Sequence, residues 1–228
     1  SGVSSTPVSC GNGSDGTLTV SVSGGVGQFT YLLVQGAVAV EGAGPMASST
    51  YTFTGHEKYT NYIIIVSDQS TGTQDGFSFG TIGGPDPIFI SSALKTDISC
   101  NGVDDGRIDV TAIGESGNYI FDLAGPETQS NTTGSFTGLP EGEYTVTVRD
   151  QNGCPSTDVT PVISIIRPAP VTVSVDGVVP VTCFGEATGS IEITPGGGVP
   201  GGGVAYTYAW TGPNGYTSTA QDISTLEA

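Results

Sequence analysis

An all-β fold, arranged as tandem β-sandwiches, is what the amino-acid sequence predicts, and three observations predict it. Apolar residues alternate with Ser, Thr and Asp at period two, glycine-containing turn dipeptides punctuate these stretches, and a segment centred on cysteine recurs three times. Leu18, Val20 and Val22 alternate with polar neighbours, as do Ile108 with Val110 and Tyr144 with Val146 and Val148. Such spacing puts one face of each strand in a core and the other in water. Asp15-Gly16, Asp105-Gly106, Asn152-Gly153 and Asn214-Gly215 read as turns in which glycine supplies the positive φ of a tight hairpin. Helix formers are scarce, and Gly, Pro, Ser and Thr interrupt every window long enough for three helical turns.

The recurring segments are VSCGNGSDGTLTV from Val8, ISCNGVDDGRIDV from Ile98 and VTCFGEATGSIEI from Val181. Each places apolar residues 8 and 10 positions after its cysteine. A bulky strand follows, carrying Phe29, Tyr31 and Leu33, then Tyr119, Phe121 and Leu123, then Tyr206, Tyr208 and Trp210. It begins 19, 19 and 23 residues after the cysteine, and a glycine-rich insertion around Gly196 to Gly203, read as a longer loop, accounts for the difference. The i, i+2, i+4 spacing assigns Tyr206, Tyr208 and Trp210 to a core face in preference to a sugar-stacking platform. The segments PDPIFI and PAPVTV set prolines 13 residues before the next cysteine, where they end one unit and admit the next. The predicted units are therefore 1–84, 85–167 and 168–228. In this register the first lacks its opening strand, the second is complete, and the third lacks its last strands, as in a portion of a longer array.

Each unit fits seven strands in an immunoglobulin-like sandwich. Leu139-Pro-Glu-Gly-Glu-Tyr144 has the shape of a tyrosine corner, in which the phenol bonds back to the chain at the start of the sixth strand. Tyr62 takes the matching place in the first unit, because Asp68 and Asp150 each follow their tyrosine by six residues.

Charge and composition narrow the function. Of 228 residues only 12% are charged, 22 acidic against 5 basic, for a net charge of −17. Phosphate backbones and anionic lipid surfaces both select clustered Lys and Arg, so neither nucleic acid nor a membrane surface is an expected partner. The longest run of aliphatic and aromatic residues, Tyr62 to Val66, is five residues long, far short of a bilayer span. No basic stretch followed by an apolar one opens the segment, so no signal peptide is expected within it. The single histidine, His56, lies in the polar stretch Thr54 to Lys58 and reads as a surface-loop residue. No nucleophile, base and pocket converge in the sequence, so no enzymatic activity is expected. The acidic turns (Asp104 and Asp105, Asp86, Asp97, Asp150 with Asn152, Glu186) offer oxygens to calcium, but no complete Asp-x-Asp-x-Asp-Gly loop occurs. Solvated acidic surface is the expected reading, with no cofactor and no metal. The charge itself keeps long, like-charged rods apart and soluble.

The Cys-x-Gly-x-x-Asp-Gly opening, the Tyr-x-Tyr-x-Trp strand and the ending from Gly142 to Cys154 resemble SprB-type repeats. The first unit departs in having Gly72 where the terminal cysteine belongs, and the third in having Thr188 before Gly189. The resemblance implies a large adhesin on the surface of a gliding bacterium, exported by the type IX secretion system. Its partners would be neighbouring repeats, an external surface or polysaccharide, and the secretion and motility machinery. It carries over no ligand and no catalytic residue. Two other readings stand beside it: accessory modules of a secreted polysaccharide-degrading enzyme, and a carbohydrate-binding lectin.

A secreted array favours disulfides over buried thiols, and no Cys-x-x-Cys spacing suggests metal. If the first strand of a unit runs to one pole and the sixth returns to the other, Cys100 and Cys154 lie too far apart for a bridge. Cys10 and Cys154 then meet across the junction of the first two units, leaving Cys100 and Cys183 for partners in later repeats. A bridge within the second unit, Cys100 to Cys154, and free thiols are the alternatives.

Overall fold

In a computed structural model the chain is described over residues 2–25, 27–114, 117–198 and 206–227. The first stretch forms β1 (Gly2–Thr6), β2 (Gly16–Ser21), β3 (Phe29–Gln35), β4 (Val38–Met46), β5 (Thr50–His56), β6 (Tyr59–Asp68) and β7 (Thr73–Ile82). They make two antiparallel sheets, β1-β2-β5 and β4-β3-β6-β7, that face each other over one core. The expected absence of an opening strand is corrected here: β1 pairs with β2 from Gly2 against Ser21 to Thr6 against Thr17.

The second stretch repeats the plan with β8 (Phe89–Thr96), β9 (Gly106–Ile113), β10 (Tyr119–Ala124), β11 (Gln129–Asn131), β12 (Ser135–Leu139), β13 (Gly142–Asp150) and β14 (Ile163–Ile165). Its sheets are β8-β9-β12 and β11-β10-β13-β14. Both stretches are immunoglobulin-like β-sandwiches of seven strands, and in both the fourth strand pairs with the third rather than with the fifth. The period-two residues fill the interiors. Leu18, Leu33 and Ile64 are fully buried in one, Ile108, Phe136 and Val146 in the other.

The third stretch contains β15 (Ala169–Val179), β16 (Gly189–Gly198), β17 (Trp210–Thr211), β18 (Thr217–Ser218) and β19 (Ile223–Leu226). The sheet β15-β16-β19 matches β8-β9-β12, and β17 pairs with β18. Two expectations change. Gly196 to Gly198 are strand residues paired with β15, Gly196 against Thr172 and Gly198 against Ala169, because a glycine strand needs only a neighbour's backbone. The rest of the glycine-rich insertion, 199–205, lies outside the described residues. The aromatic trio is not core: Tyr206 is exposed and Tyr208 and Trp210 are half-buried, since β17 is only two residues long and, among the described residues, is flanked on one side. Among the described residues no helix is long and apolar enough to cross a membrane.

Candidate functional site: the inter-unit joint

The loop after each opening strand is built the same way three times. Asp15 Oδ1 accepts the Ser9 amide at 2.9 Å, and Asp105 Oδ1 accepts the Ser99 amide at 2.9 Å. These bonds close the loop around Cys10 and Cys100. Thr188 does the same work in the third unit, its Oγ1 accepting the Thr182 amide at 3.3 Å. Hydrogen bonds from the serine side chains and then their amides hold the Asp15 and Asp105 carboxyls below the ordinary carboxylate value.

The glycine after each aspartate has a different role from the one its dipeptide suggests. Gly16 and Gly106 are the first residues of β2 and β9 and do not adopt positive φ. A Cβ on Gly16 would stand 2.4 Å from Ile82 Cγ2, and one on Gly106 would stand 2.6 Å from Leu139 O and 2.8 Å from Ile165 Cγ2. β7 in the first sandwich, and β12 with β14 in the second, approach so closely there that no side chain fits. Gly153 (φ 91°) and Gly215 (φ 77°) do take the left-handed conformation of tight turns.

At the other end of the second unit, Asp150 is buried at the end of β13. Its Oδ1 accepts the amides of Asn152 and Cys154, each at 2.8 Å, which fixes where the Cys154 side chain emerges. The structure brings Cys10 and Cys154 together as a disulfide with Cα atoms 5.3 Å apart, across 144 positions of sequence. Gly11 packs on the linker so tightly that a Cβ would stand 2.3 Å from Pro87 N, and Lys58 Nζ donates to Asp86 Oδ1 at 2.6 Å. A covalent bond, a glycine contact and an ion pair thus converge where PDPIFI connects the first two sandwiches.

The next linker has the polar part of this arrangement. Asn101 Nδ2 donates to Pro168 O at 3.1 Å, and Arg167 donates to Val103 O at 2.7 Å while pairing with Asp104 and Glu141. Cys100 and Cys183 are exposed free thiols. Cys100 follows β8 as Cys10 follows β1, in the loop beyond the strand rather than at its end.

The structural tyrosines lie beside these loops. Tyr144 Oη donates to Pro140 O at 3.0 Å and Tyr62 Oη to Glu57 O at 3.1 Å. Burial pushes both phenols above the ordinary tyrosine value, so each stays a donor. His56 is not in a loop. It ends β5, half-buried, with Nε2 2.7 Å from Glu41 Oε2, while Tyr51 Oη donates to Glu41 Oε1 at 2.9 Å. Pairing of β4 with β3, and of β5 with β2, is what sets these groups face to face, so local sequence held no sign of it.

The acidic turns are occupied by the protein's own groups. Asp86 meets Lys58, Asp97 meets Lys95, Asp104 meets Arg167, and Glu186 accepts the Thr182 hydroxyl at 3.1 Å. Among the described residues no three of His, Cys, Asp and Glu converge as a metal site would require.

The SprB repeat family matches residues 2–38, 92–128 and 171–215, together more than half of the chain. The chain belongs to the SprB repeat family. Each match begins in or before an opening strand and takes in one cysteine loop, so the triplication seen in the fold is that of the SprB repeat. No curated protein is similar to the chain. Among solved structures, the chain is similar to the C-terminal 282-residue fragment of intimin in complex with the intimin-binding domain of its translocated receptor. Identity there is 14% over 77% of this chain and 66% of that one, with a TM-score of 0.38. It is also similar to the chicken CNTN1 FN1-FN3 domains (13% identity, 73% of this chain, 66% of that one, TM-score 0.30). The fibronectin(III)-like modules of Clostridium thermocellum CbhA match at 15% identity over 73% of this chain and 94% of theirs, TM-score 0.30. The chain spans about two thirds of the intimin and CNTN1 fragments, and at these identities and scores the likeness says nothing of function.

Proposed function

We propose that the chain is part of the repeat stalk of a large extracellular bacterial adhesin, displayed on the cell surface and used in surface adhesion and gliding. Membership of the SprB repeat family supports the class of protein. One observation supports the mechanical role: the disulfide that ties the Cys10 loop of one sandwich to Cys154 of the next, over the proline linker. In this reading the repeats divide near residues 85 and 168, and each joint is stiffened by a covalent staple. Cys100 is half of the equivalent staple at the following joint. Partners are the neighbouring repeats, an external surface or polysaccharide, and the export and motility machinery. The role is structural and not catalytic, in keeping with turns whose polar side chains bond to one another and to backbone.

Two measurements test the reading. Antibody against this chain should label intact, unpermeabilised cells of the producing bacterium, and deletion of the repeats should reduce attachment to glass. Labelling only after lysis would refute the surface assignment. Non-reducing peptide mapping of the protein should yield a Cys10–Cys154 peptide, whereas a Cys100–Cys154 peptide would rule the staple out.

A further inference from the structure

Four Asn-Gly dipeptides occur in the chain, at Asn12, Asn101, Asn152 and Asn214. Asparagine is among the thermolabile residues, and a following glycine, with no Cβ in the way, lets its side chain fold back onto the main chain. The nitrogen met there is that of the glycine itself, so reactivity depends on what that N–H is doing. The structure separates the sites on this point. Gly13 N–H donates to Cys10 O at 2.8 Å and Gly153 N–H to Asp150 O at 3.1 Å, so in both places the attacking nitrogen is held in a turn. Asn152 is fixed further, since its own amide donates to the buried Asp150 carboxylate at 2.8 Å. Asn214 belongs to the 3-10 turn Pro213–Gly215, within the third unit.

Asn101 is different. Its dipeptide stands one place nearer the cysteine than that of the first unit, which puts the glycine at another corner of the loop. Gly102 has φ 93°, a Cβ on it would meet nothing within 4 Å, and its N–H donates to no group among the described residues. Asn101 is exposed, and its Nδ2 donates to Pro168 O across the second linker at 3.1 Å. At the first linker the same place is held by Gly11, which has no side chain to react.

We infer that Asn101 is a site of spontaneous deamidation, and that the reaction unlatches the second joint. The Gly102 nitrogen attacks Asn101 Cγ, the bond from Cγ to Nδ2 breaks, and Nδ2 leaves as ammonia with the proton that the Gly102 amide gives up. Water then opens the succinimide at either carbonyl and yields aspartate or isoaspartate. Pro168 O has then lost its donor and faces a carboxylate. Arg167, the cation at this linker, is already paired with Asp104 and Glu141. Isoaspartate also inserts a methylene into the main chain of the loop. Water is the one co-reactant and the change runs one way, so it marks the age of the protein. The first joint, with Gly11 in this place and a disulfide across it, keeps its geometry. The inference stands independently of the adhesin reading, because it rests on the loop and the linker alone.

The test ages the full, oxidised chain in warm, mildly alkaline buffer and follows the one-dalton mass gain of each asparagine peptide. In the folded chain the Asn101 peptide should convert at least tenfold faster than the Asn12 and Asn152 peptides. After unfolding in urea with reductant, the three rates should agree within about threefold. Small-angle scattering of Asn101→Asp, with the Cys10–Cys154 disulfide intact, should show the same broadened distance distribution as the aged chain. Asn101→Gln keeps the donor but closes the cyclic imide far more slowly, so its aged and fresh samples should scatter alike. Equal rates at the three sites in the folded chain, or the same tenfold order after unfolding, overturns the assignment of the site to the fold. An Asn101→Asp distribution identical to that of the unaged chain overturns the unlatching.

Discussion

Asp105 shows how one side chain of the repeat converts sequence into loop geometry. Its carboxylate accepts both the amide and the hydroxyl of Ser99, and so sets the backbone on which Cys100 stands. The hydrogen bonds favour the charged form, so the folded-state pKa is lowered from 3.8. Their contribution is complete above the unfolded value and is lost as pH falls through the lower, folded one. The Ser99 amide resonance should therefore hold steady down to pH 4 and move with a midpoint below 3.8; a midpoint at or above 3.8 would contradict the bond. Tyr144 carries a second residue-scale expectation. Tyr144→Phe deletes one buried donor and strands the Pro140 carbonyl, at a cost of about 1 kcal/mol. An unchanged melting temperature for the variant would mean that the hydroxyl anchors nothing. Residues also mark the limit of reading from sequence. Period two at Leu18 and Val20 names two core positions directly, because the face of a strand is a local property. Gly16 and Gly106 invite a turn reading, yet their reason is crowding by Ile82 and by Leu139 and Ile165, tens of residues away.

Among elements, the edges of the sandwiches carry the information that a linear pattern lacks. In the first unit β4 and β5 are edge strands of opposite sheets, and Glu41 joins them by receiving Tyr51 and meeting His56. The second unit closes the same side with amides: Gln129 donates to Thr137 O and Asn131 to Ser135 O. Glu41 is thus a clasp between sheets, and Glu41→Ala should destabilise the first sandwich by ~1–2 kcal/mol through the loss of two hydrogen bonds, leaving the second untouched. Differential scanning calorimetry resolving two transitions checks it; an effect on both transitions, or on neither, would count against the clasp. The turn at Asn214-Gly215 is readable from composition and spacing, since glycine and asparagine at positive φ act locally. The partner of His56 is not, because the link from position 56 to position 41 exists only once two sheets have closed.

At the scale of the whole molecule, the chain is a set of small cores whose mutual arrangement depends on the joints. A disulfide spanning 144 positions closes a very long loop, and in a single domain chain-entropy arguments would assign it ~4–5 kcal/mol. Here each sandwich has its own buried cluster, so the bond acts on the orientation of two folded bodies more than on the folding of either. The rest of the joint is weak on its own: the Lys58–Asp86 pair is largely exposed and worth at most ~1 kcal/mol. Net charge of −17 adds a repulsion that extends the array and is screened within ~8 Å at physiological salt. Reduction should therefore leave the two melting transitions nearly in place while freeing the angle between the first and second sandwiches. Small-angle scattering with and without reductant measures this directly: the distance distribution should broaden on reduction, and Cys10→Ser should reproduce the change without reductant. A distribution that reductant and Cys10→Ser both leave unaltered would show that the glycine and proline contacts hold the joint by themselves, and that the staple adds nothing to the stiffness of the rod.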